Sequence, residues 1–461
     1  MTIMDLTRLT LIETIEGLKK GDFTEVELNK AYHDRILEHG EKLNVFLDMN
    51  SDSAGIPMAV KSLISTKGLK TSSASKIIEN YDPPFNATVI DKLAQHNVGV
   101  IGKTNQDEFA MGSSGENSAF GVTKNPWNLD KVPGGSSSGS AVAVAADLAV
   151  FSLGTDTGGS IRQPASLSGV VGLKPSYGRV SRYGAIAMAS SLDQIGPFTK
   201  TVGDARLVLE WMSGGDGVDS NAVDEAFKAH TDSGQAGMTN SKLTDLNGIK
   251  VGVPKEYFGK GLNEGVEKTI KEAIGKLEEL GAEIVEISLP NTQYAIAVYY
   301  IIMASEVSSN LARFDGLRFG GDRSLFGPEP KRRIMLGTFA LSTGYFDDYF
   351  IQAAKVRTLI KQDFDEAFEK VDVIVGPVSP TVAWNIGEKI ADPLTMYLSD
   401  AYTIPASLAG IPALSIPCGF SDEMPVGLHI LGKYMDEEMI LNVGEVYEQA
   451  TEWHTRKPKL S

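Results

Sequence analysis

The sequence predicts an α/β protein whose core is a large mixed β-sheet, with helices covering both faces of the sheet. Short apolar segments of strand length alternate with helical segments along most of the chain, as such a sheet requires. One strand–helix–strand unit in the second half indicates parallel pairing there. The 47 glycines among 461 residues are more than a helical bundle would carry.

The first half is predicted to open with two helices. The first ends at Gly21, and the second opens at Thr24, three residues before Glu27, with an apolar face that reaches Ile36. Strands and helices then alternate. Their predicted bounds are 56–60, 98–101 and 149–153 for strands, 87–96 and 141–146 for helices, and 154–159 for a loop.

The second half follows a segment of different composition. Residues 214–248 predict a loop-rich insertion or linker with one short helix. A strand–helix–strand unit comes next, and its helix is capped at Gly281. The other predicted features are strands at 249–253, 284–287 and 373–375, a largely helical region at 294–370, and closing segments at 406–417 and 426–431.

Charge and composition exclude several classes of protein. The chain has 43 Lys and Arg against 59 Asp and Glu, a net charge of −16 that disfavours a general nucleic-acid-coating role. A single cysteine, Cys418, excludes a disulfide framework and a Cys-rich zinc site, and the six histidines lack metal-binding spacing. We predict no metal site. The longest strongly apolar run, 294–304, is too short for a membrane span, and no signal pattern opens the chain. The expected protein is soluble and cytoplasmic.

Two glycine- and serine-rich loops, 133–140 and 154–164, are the most informative part of the sequence. Ser160 follows Gly158 and Gly159 and precedes a predicted helix start, so its hydroxyl would be exposed beside amides that can face an oxyanion. Turn glycines and N-cap serines are the simpler interpretation. A phosphate cradle is the other alternative, but the GxxxxGK[ST] pattern is absent.

A serine nucleophile needs a base, and two residues are candidates. His429 lies in the apolar strand 426–431, which favours a buried structural histidine. Lys61 directly follows the apolar strand 56–60, where a buried cation is not expected. The alternative for Lys61 is a lysine whose ammonium reaches solvent from a strand end.

Taken together, Lys61, Ser136 and Ser160 resemble the Ser–Ser–Lys triad of the amidase signature family. The sequences GGSSSGS at 134–140 and DTGGSIRQP at 156–164 are similar to the most specific motif of that family. Within the family, the chain most resembles the glutamine-hydrolysing A subunits of tRNA-dependent amidotransferases. The segments that carry this closer likeness are 107–114, 116–121, 125–127, 172–182, 331–342 and 392–397. The likeness covers nearly the whole chain and is weakest in 214–248.

The resemblance implies a fold and its parts. It implies one amidase signature domain over 1–461, with N-terminal helices (1–45), a catalytic core (46–213), a variable insertion (214–248) and a C-terminal core half (249–461).

The resemblance also implies catalytic roles. Ser160 would be the nucleophile and Ser136, preceded by a cis peptide, would relay its proton. Lys61 would be the general base, which requires a pKa near 7 instead of about 10.4 and costs roughly 4–5 kcal/mol. The oxyanion hole would be formed by the backbone amides of Thr157, Gly158 and Gly159.

The implied substrate is free glutamine. Asp400 would bind its α-amino group, Arg333 its α-carboxylate, and Tyr299 would assist near the α-carbon. On composition alone, Arg333 and Asp400 would be interpreted as surface charges.

The implied partners complete a heterotrimer. Ammonia would pass to a B subunit that converts Glu-tRNA(Gln) to Gln-tRNA(Gln) and holds the ATP and Mg²⁺, while a small C subunit wraps this chain. The chain itself would need no cofactor, and tRNA would bind mainly through the B subunit. A stand-alone small-molecule amidase is the alternative, but an apolar amide would leave Arg333 and Asp400 nothing to bind. A non-enzymatic scaffold is disfavoured by the intact triad.

The chain departs from the family pattern in three places. Ser62 and Leu63 stand where the family usually has Asp-Asn, Gly115 stands where it commonly has Thr, and the segment between Leu47 and Gly55 is shorter by roughly a helix. The changes at 62–63 and in the short segment are expected to affect the surroundings of Lys61 and the docking surface near the N-terminal helices.

Overall fold

The structure, a computed structural model, describes residues 5–228, 243–259 and 261–460. Eleven strands lie within this part of the chain. They are β1 (Phe46–Met49), β2 (Ile56–Lys61), β3 (Val98–Thr104), β4 (Phe151–Asp156), β5 (Val171–Lys174), β6 (Gln194–Thr199), β7 (Lys250–Pro254), β8 (Glu283–Ile287), β9 (Val373–Pro377), β10 (Ala413–Ser421) and β11 (Met424–Leu431). All of them belong to one sheet with the order β1-β3-β2-β4-β6-β5-β10-β11-β9-β7-β8.

The sheet is mixed, as predicted. Strand β2 pairs in parallel with β3 and β4, and β7 pairs in parallel with β8 and β9. The strands between these two parallel regions pair antiparallel, and β1 adds an antiparallel edge beside β3. The predicted strand–helix–strand unit is confirmed as β7 and β8 around one long helix.

Thirteen α-helices lie in the described residues, which also contain short 3-10 turns and one π-helical turn, Asp347–Ile351. They are α1 (Leu11–Lys20), α2 (Glu25–Leu43), α3 (Thr88–Ala94), α4 (Ser138–Ala145), α5 (Arg162–Ser168), α6 (Val202–Met212), α7 (Glu264–Glu279), α8 (Ala295–Asn310), α9 (Pro328–Ala340), α10 (Gln352–Ala367), α11 (Pro393–Tyr397), α12 (Ile404–Ala409) and α13 (Glu437–Gln449). Buried side chains from Leu11 in α1 to Tyr447 in α13 join the same hydrophobic core.

The two N-terminal helices are confirmed, with shifted ends. Thr24 caps α2 as predicted: its hydroxyl accepts from the Glu27 amide at 3.2 Å, and the Glu27 carboxylate accepts from the Thr24 amide at 2.8 Å. Helix α2 runs beyond Ile36, the last residue of its predicted apolar face, to Leu43, where Asn44 takes a left-handed conformation with φ 50°. An asparagine in that role is a weaker stop signal than a glycine, so the sequence placed the end too early.

Strand β4 differs from its prediction in a way that shapes the site. The sequence predicts it at 149–153, followed by a loop from Gly154 to Gly159. Its ladder with antiparallel β6 instead continues through Gly154↔Gly196 to Asp156↔Gln194, so the strand ends at Asp156. Because pairing with a distant strand sets this end, the local sequence alone gave the wrong boundary.

The predictions for the closing segment and for the insertion agree with the structure only in part or lie outside what it describes. The closing segment 406–417 is predicted as one unit, but its first residues form the end of α12 and the strand begins at Ala413. Residues 214–228 contain no helix, and residues 229–242 of the predicted insertion lie outside the described residues. The division of the chain at 213 and 249 stays a prediction.

One helical stretch of the described residues, Pro290–Arg313, is long and apolar enough to pass a test for membrane spans by length and composition. It extends well beyond the apolar run 294–304 that the sequence analysis judged too short. Half of its most apolar window is buried inside the fold, where α8 packs against α9 and α10. Its apolar composition is therefore accounted for by its place in the core.

Candidate active site

The candidate site lies where two neighbouring parallel strands end. Lys61 is the last residue of β2 and Asp156 is the last residue of β4. Since parallel strands present their carboxyl ends at one edge of the sheet, the residues that follow both strands meet there. The loop before α4 arrives at the same place and brings Ser136.

The Lys61 ammonium is enclosed by hydroxyl groups. Lys61 is 0% exposed, and its Nζ lies 2.7 Å from Ser136 Oγ, 2.9 Å from Ser137 Oγ and 3.0 Å from Thr155 Oγ1. The Thr155 carbonyl lies 3.4 Å from the same nitrogen. No carboxylate of the described residues forms an ion pair with it. Three hydroxyls thus surround Lys61, and of the two triad serines only Ser136 is among them.

This environment favours the neutral amine. Burial lowers the pKa of Lys61 from 10.5 to about 7, although negative charge at Asp107, Asp156 and Asp193 acts in the opposite direction. A lysine with such a pKa can accept a proton near neutral pH, as a general base must. Snorkelling to solvent, the alternative weighed for Lys61, is wrong.

The peptide bond between Gly135 and Ser136 is cis, as the family resemblance implied. The Ser136 carbonyl accepts from the Asp107 amide at 3.1 Å, which fixes the loop from one side. A side chain at Gly135 would collide with the Asp107 carboxylate and would stand 2.7 Å from the Gly115 nitrogen. Glycine is therefore required here by the close approach of a neighbouring segment.

Ser160 is the most accessible of the three triad residues. It is 9% exposed, whereas Lys61 and Ser136 are 0% exposed. Its carbonyl accepts from the Ser137 amide at 3.3 Å, so the two glycine-rich loops are joined directly beside Lys61. A molecule arriving from outside would meet Ser160 first.

The loop before Ser160 leaves several amides free. Within the described residues, no protein acceptor takes a hydrogen bond from the backbone N–H groups of Thr157, Gly158 or Gly159. Unpaired amides that line a turn beside a nucleophile can stabilise a developing oxyanion. These are the three residues that the resemblance assigned to that role.

An ion pair between Asp156 and Arg162 joins the two ends of the same turn. Both Asp156 oxygens accept from the Arg162 guanidinium at 2.9 Å, and Oδ2 also accepts from the Ile161 amide at 3.2 Å. Burial alone would raise the pKa of Asp156, but Arg162 lowers it to about 2. Arg162 Nη1 in turn contacts Nε2 of His429, which is 0% exposed and thus structural, as the sequence predicted.

Side chains from other elements pack closely against the two glycines of this loop. A Cβ at Gly158 would stand 2.7 Å from the Tyr299 ring on α8, and one at Gly159 would collide with Thr403. The Thr403 hydroxyl donates to the Gly158 carbonyl at 2.6 Å. Tyr299, which the resemblance assigned to substrate binding, therefore lies against the predicted oxyanion loop.

Arg333 is buried on α9, with 2% of its surface exposed. Its Nε donates to Glu329 at 2.8 Å and its Nη2 to the Gly112 carbonyl at 2.6 Å. The guanidinium also lies over the rings of Tyr300 and Tyr397, at 5.3 and 5.5 Å. Within the described residues, the one contact of its Nη1 is with a sulfur, Met303 Sδ at 3.7 Å. That nitrogen remains able to bind an anion.

Asp400 is also buried, with 6% exposed. Its Oδ2 accepts from the Ser113 hydroxyl, while Oδ1 is buried and has no partner among the described residues. Burial raises the pKa of Asp400 to about 7, although Ser113 and Arg333 act to lower it. The composition-based interpretation of Arg333 and Asp400 as surface charges is wrong.

The sequence analysis missed four residues of the site: Ser113, Ser137, Thr155 and Gln163. Thr155 could have been found, because adjacent parallel strands bring the residue near the end of β4 to the end of β2. Ser137 directly follows a serine that was identified. Ser113 and Gln163 lie within the motifs at 107–114 and 156–164, but the sequence assigned them no role, since their contacts join segments far apart in the chain.

Ser62 and Leu63, which depart from the family pattern, both lie close to the site. Leu63 lines a cavity of about 290 Å³ that also touches Thr155, Ala110 and Asp193. Ser62 is buried, and its hydroxyl has no partner in the described part of the chain. Within that part, no group of three or more His, Cys, Asp or Glu side chains could hold a metal ion.

Comparison with known proteins identifies relatives over the full length. The sequence profile of the Amidase family matches residues 34–441. The chain is 51% identical over 488 residues to the A subunit of the glutamyl-tRNA(Gln) amidotransferase of Thermoanaerobacter pseudethanolicus, with 98% of both chains covered. It is 50% identical over 480 residues to the same subunit of Geobacillus kaustophilus, with 96% of this chain and 97% of that one covered.

Two solved structures are also similar to this chain over its whole length. The crystal structure of the glutamyl-tRNA(Gln) amidotransferase A subunit from Thermotoga maritima has a TM-score of 0.87 and 41% identity, with both chains covered completely. The peptide amidase of Stenotrophomonas maltophilia has a TM-score of 0.81 and 28% identity, with 100% of this chain and 99% of that one covered. Both similarities cover the whole of this chain.

Proposed function

The chain belongs to the amidase family, and on this basis we propose that it is the glutamine-hydrolysing A subunit of a tRNA-dependent amidotransferase. One observation carries the proposal: Ser137 contacts the buried Lys61 through its hydroxyl and the Ser160 carbonyl through its amide, and two buried side chains of opposite charge, Arg333 and Asp400, are linked to the same loops through Gly112 and Ser113. The relatives at 50–51% identity, which are A subunits of this kind, support the proposal.

The chemistry follows from the contacts. Ser160 Oγ attacks the carboxamide carbon while its proton passes to Ser136, which gives its own proton to Lys61. The amides of Thr157 and Gly158, with that of Gly159, stabilise the oxyanion, at about 3–4 kcal/mol per donor in comparable sites. The C–N bond then breaks, the proton returns from Lys61 through Ser136, and ammonia leaves.

A γ-glutamyl ester remains on Ser160 after ammonia has left. Water attacks this ester while Lys61 and Ser136 again take the proton, and glutamate is released. The same two residues thus act first as base, then as acid, in each half of the reaction.

Glutamine binding uses the charged pair. Arg333 Nη1, with its weak contact to sulfur, receives the α-carboxylate, and the free Oδ1 of Asp400 receives the α-ammonium. Tyr299 lies between this end of the substrate and the oxyanion loop. Two charges of opposite sign select an amino acid over an apolar amide.

The partners follow from the proposed place of this chain in the enzyme. We propose that a B subunit uses the ammonia to convert Glu-tRNA(Gln) to Gln-tRNA(Gln), with ATP and Mg²⁺ bound on that partner, and that a small C subunit completes a heterotrimer. The net charge of −16 agrees with tRNA contacts that lie mainly on the partner.

Replacing Arg333 with methionine, or Asp400 with asparagine, is expected to lower kcat/KM for glutamine by about 100-fold or more, because the opposite charge of the substrate loses a buried partner. Steady-state glutamate release measures this loss. Lys331→Met on the exposed side of α9 is the matched control and should retain the parent rate.

The alternative, a stand-alone amidase, predicts a different outcome. The parent chain would then hydrolyse an apolar amide such as butyramide better than glutamine, and both substitutions would leave glutamine turnover unchanged. That result would overturn the assignment of Arg333 and Asp400. Glutamate release that rises when the B and C subunits are added would support the coupled enzyme.

A further inference from the structure

The carboxylate of Asp400 is held by one oxygen only. Asp400 ends the 3-10 turn Leu398–Asp400, and its Oδ2 accepts from the Ser113 hydroxyl. Its Oδ1 is buried and has no partner within the described residues. Because buried polar atoms are nearly always hydrogen-bonded, an unpaired carboxylate oxygen here indicates a place for a donor from outside.

Ser113 is itself fixed to the catalytic loops. Its carbonyl accepts from Gln163 Nε2 at 2.8 Å, and Gln163 Oε1 accepts from the Gly135 amide at 3.0 Å. Gln163 is 0% exposed and lies in α5, three residues after Ser160. One side chain therefore sets the position of Ser113 relative to both the nucleophile and the loop that carries Ser136.

The residue before Ser113 holds the other charged group. The Gly112 carbonyl accepts from Arg333 Nη2 at 2.6 Å, while the Ser113 hydroxyl donates to Asp400. Two consecutive residues thus orient the cation and the anion of the substrate-binding pair. Gly112 and Ser113 lie outside the helices and strands, so contacts such as these and the one with Gln163 hold them in place.

The Ser113 hydroxyl also acts on the charge of Asp400. Burial raises the pKa of Asp400 to about 7, and the nearby Asp156 charge adds to that effect. The Ser113 hydrogen bond acts in the opposite direction, together with Arg333 and Arg162. A hydrogen bond to the ionised form keeps a carboxylate available for an ammonium group.

We propose that Ser113 is a positioning residue that makes the site selective for carboxamides carrying an α-ammonium group. It holds Oδ2 of Asp400, so that Oδ1 faces the substrate as the acceptor for that ammonium. The inference rests on the proposed function and adds the residue that enforces substrate choice. The Ser113 hydroxyl bonds Asp400 and none of Lys61, Ser136 or Ser160 within the described residues, so its loss should affect binding more than chemistry.

The test compares two substrates that differ only in the α-amino group. Glutaramate has the carboxamide and the carboxylate of glutamine but no amine. Ser113→Ala is expected to raise KM for glutamine about 10-fold or more and to change kcat by less than about threefold, since a hydrogen bond to a charged group is lost. Affinity for glutaramate, measured by turnover or as competitive inhibition of glutamine hydrolysis, should stay within about twofold of the parent.

Two further variants separate positioning from general structure. Ser305→Ala removes a hydroxyl that is also buried, at 1% exposure, and whose one partner among the described residues is the Ile301 carbonyl of its own helix; this variant should match the parent. In an Asp400→Asn background, Ser113→Ala should cause no further loss for glutamine, because both changes act through one carboxylate. Melting temperatures establish that each variant is folded.

Two results would overturn the inference while leaving the proposed function intact. Glutamine KM could remain unchanged in Ser113→Ala, or the affinities for glutamine and glutaramate could fall equally. Failure of the proposed function looks different, because the parent chain itself would then release no glutamate from glutamine. In that case the selectivity assigned to Ser113 would fall with it.

Discussion

Replacing Ser160 with alanine is expected to reduce glutamine hydrolysis by about 10⁴-fold or more, because the atom that forms the covalent ester is removed. Lys61, Ser136 and the free amides of the oxyanion loop would remain in place, so the fold and glutamine binding should persist. Glutamate release by the purified chain measures the loss. Calorimetric binding of glutamine by the variant shows that the site is still formed.

The same variant tests how the work is divided between subunits. In a complex of Ser160→Ala with its B and C partners, free ammonia should still convert Glu-tRNA(Gln) to Gln-tRNA(Gln) at a rate near that of the parent complex. Formation of Gln-tRNA(Gln) with ammonium salt in place of glutamine measures this. Loss of the ammonia-dependent reaction as well would contradict the assignment of Ser160 to glutamine hydrolysis alone.

Replacing Lys61 with methionine is expected to reduce glutamine hydrolysis by about 10³-fold or more, because no other group of the described residues is placed to take the proton from Ser136. In the parent, the neutral amine is the active form. Since the pKa of Lys61 is about 7, kcat/KM should rise as the pH increases from 6 to 8 and then level off.

Lys61→Met should change the stability of the chain in the opposite direction to its activity. Lys61 has a lower pKa in the folded chain than its usual 10.5, so the folded chain binds fewer protons than the unfolded chain between pH 7 and 10.5. The contribution of Lys61 to the free energy of unfolding therefore increases as pH rises through that range. At pH 7 the burial of this lysine lowers the free energy of unfolding, and Lys61→Met removes that cost. The melting temperature of the variant at pH 7 should therefore equal or exceed that of the parent.

Lys103 provides a matched control. It is also buried on the neighbouring strand β3, and burial also lowers its pKa to about 7. Its ammonium, however, donates to the Ile64 carbonyl and to Thr66 Oγ1, not to the catalytic hydroxyls. Lys103→Met should keep the pH profile of the parent. A profile that loses its rise near pH 7 in Lys103→Met but keeps it in a residual activity of Lys61→Met would contradict the assignment.

The catalytic residues could be predicted because they lie in contiguous motifs. Ser136 and Ser160 stand in glycine-rich loops whose sequence is specific, and Lys61 follows an apolar strand. Composition and spacing alone left turn serines and a snorkelling lysine as alternatives, and the family resemblance was needed to exclude them. The burial of Lys61 among three hydroxyls depends on β2 and β4 lying side by side, which no local pattern states.

The substrate-binding charges show where local reasoning fails. Arg333 and Asp400 come from α9 and a short turn, and a charged residue in such elements is usually solvated. Their burial arises from contacts with Gly112 and Ser113, more than 200 residues earlier in the chain. The end of β4 has the same origin, because its last pairs form with β6 and extend the strand through a Gly-Thr-Asp sequence that locally predicts a loop.

The central claim is that glutamine hydrolysis proceeds through an ester on Ser160. The most direct measurement supplies glutamine, or glutamate γ-methyl ester, together with hydroxylamine, and determines the ratio of γ-glutamyl hydroxamate to glutamate. Both substrates form the same ester, so the account predicts the same product ratio from each at a given hydroxylamine concentration, and no product of either kind from Ser160→Ala. Ratios that differ between the two substrates, or glutamine hydrolysis without any hydroxamate, would contradict it.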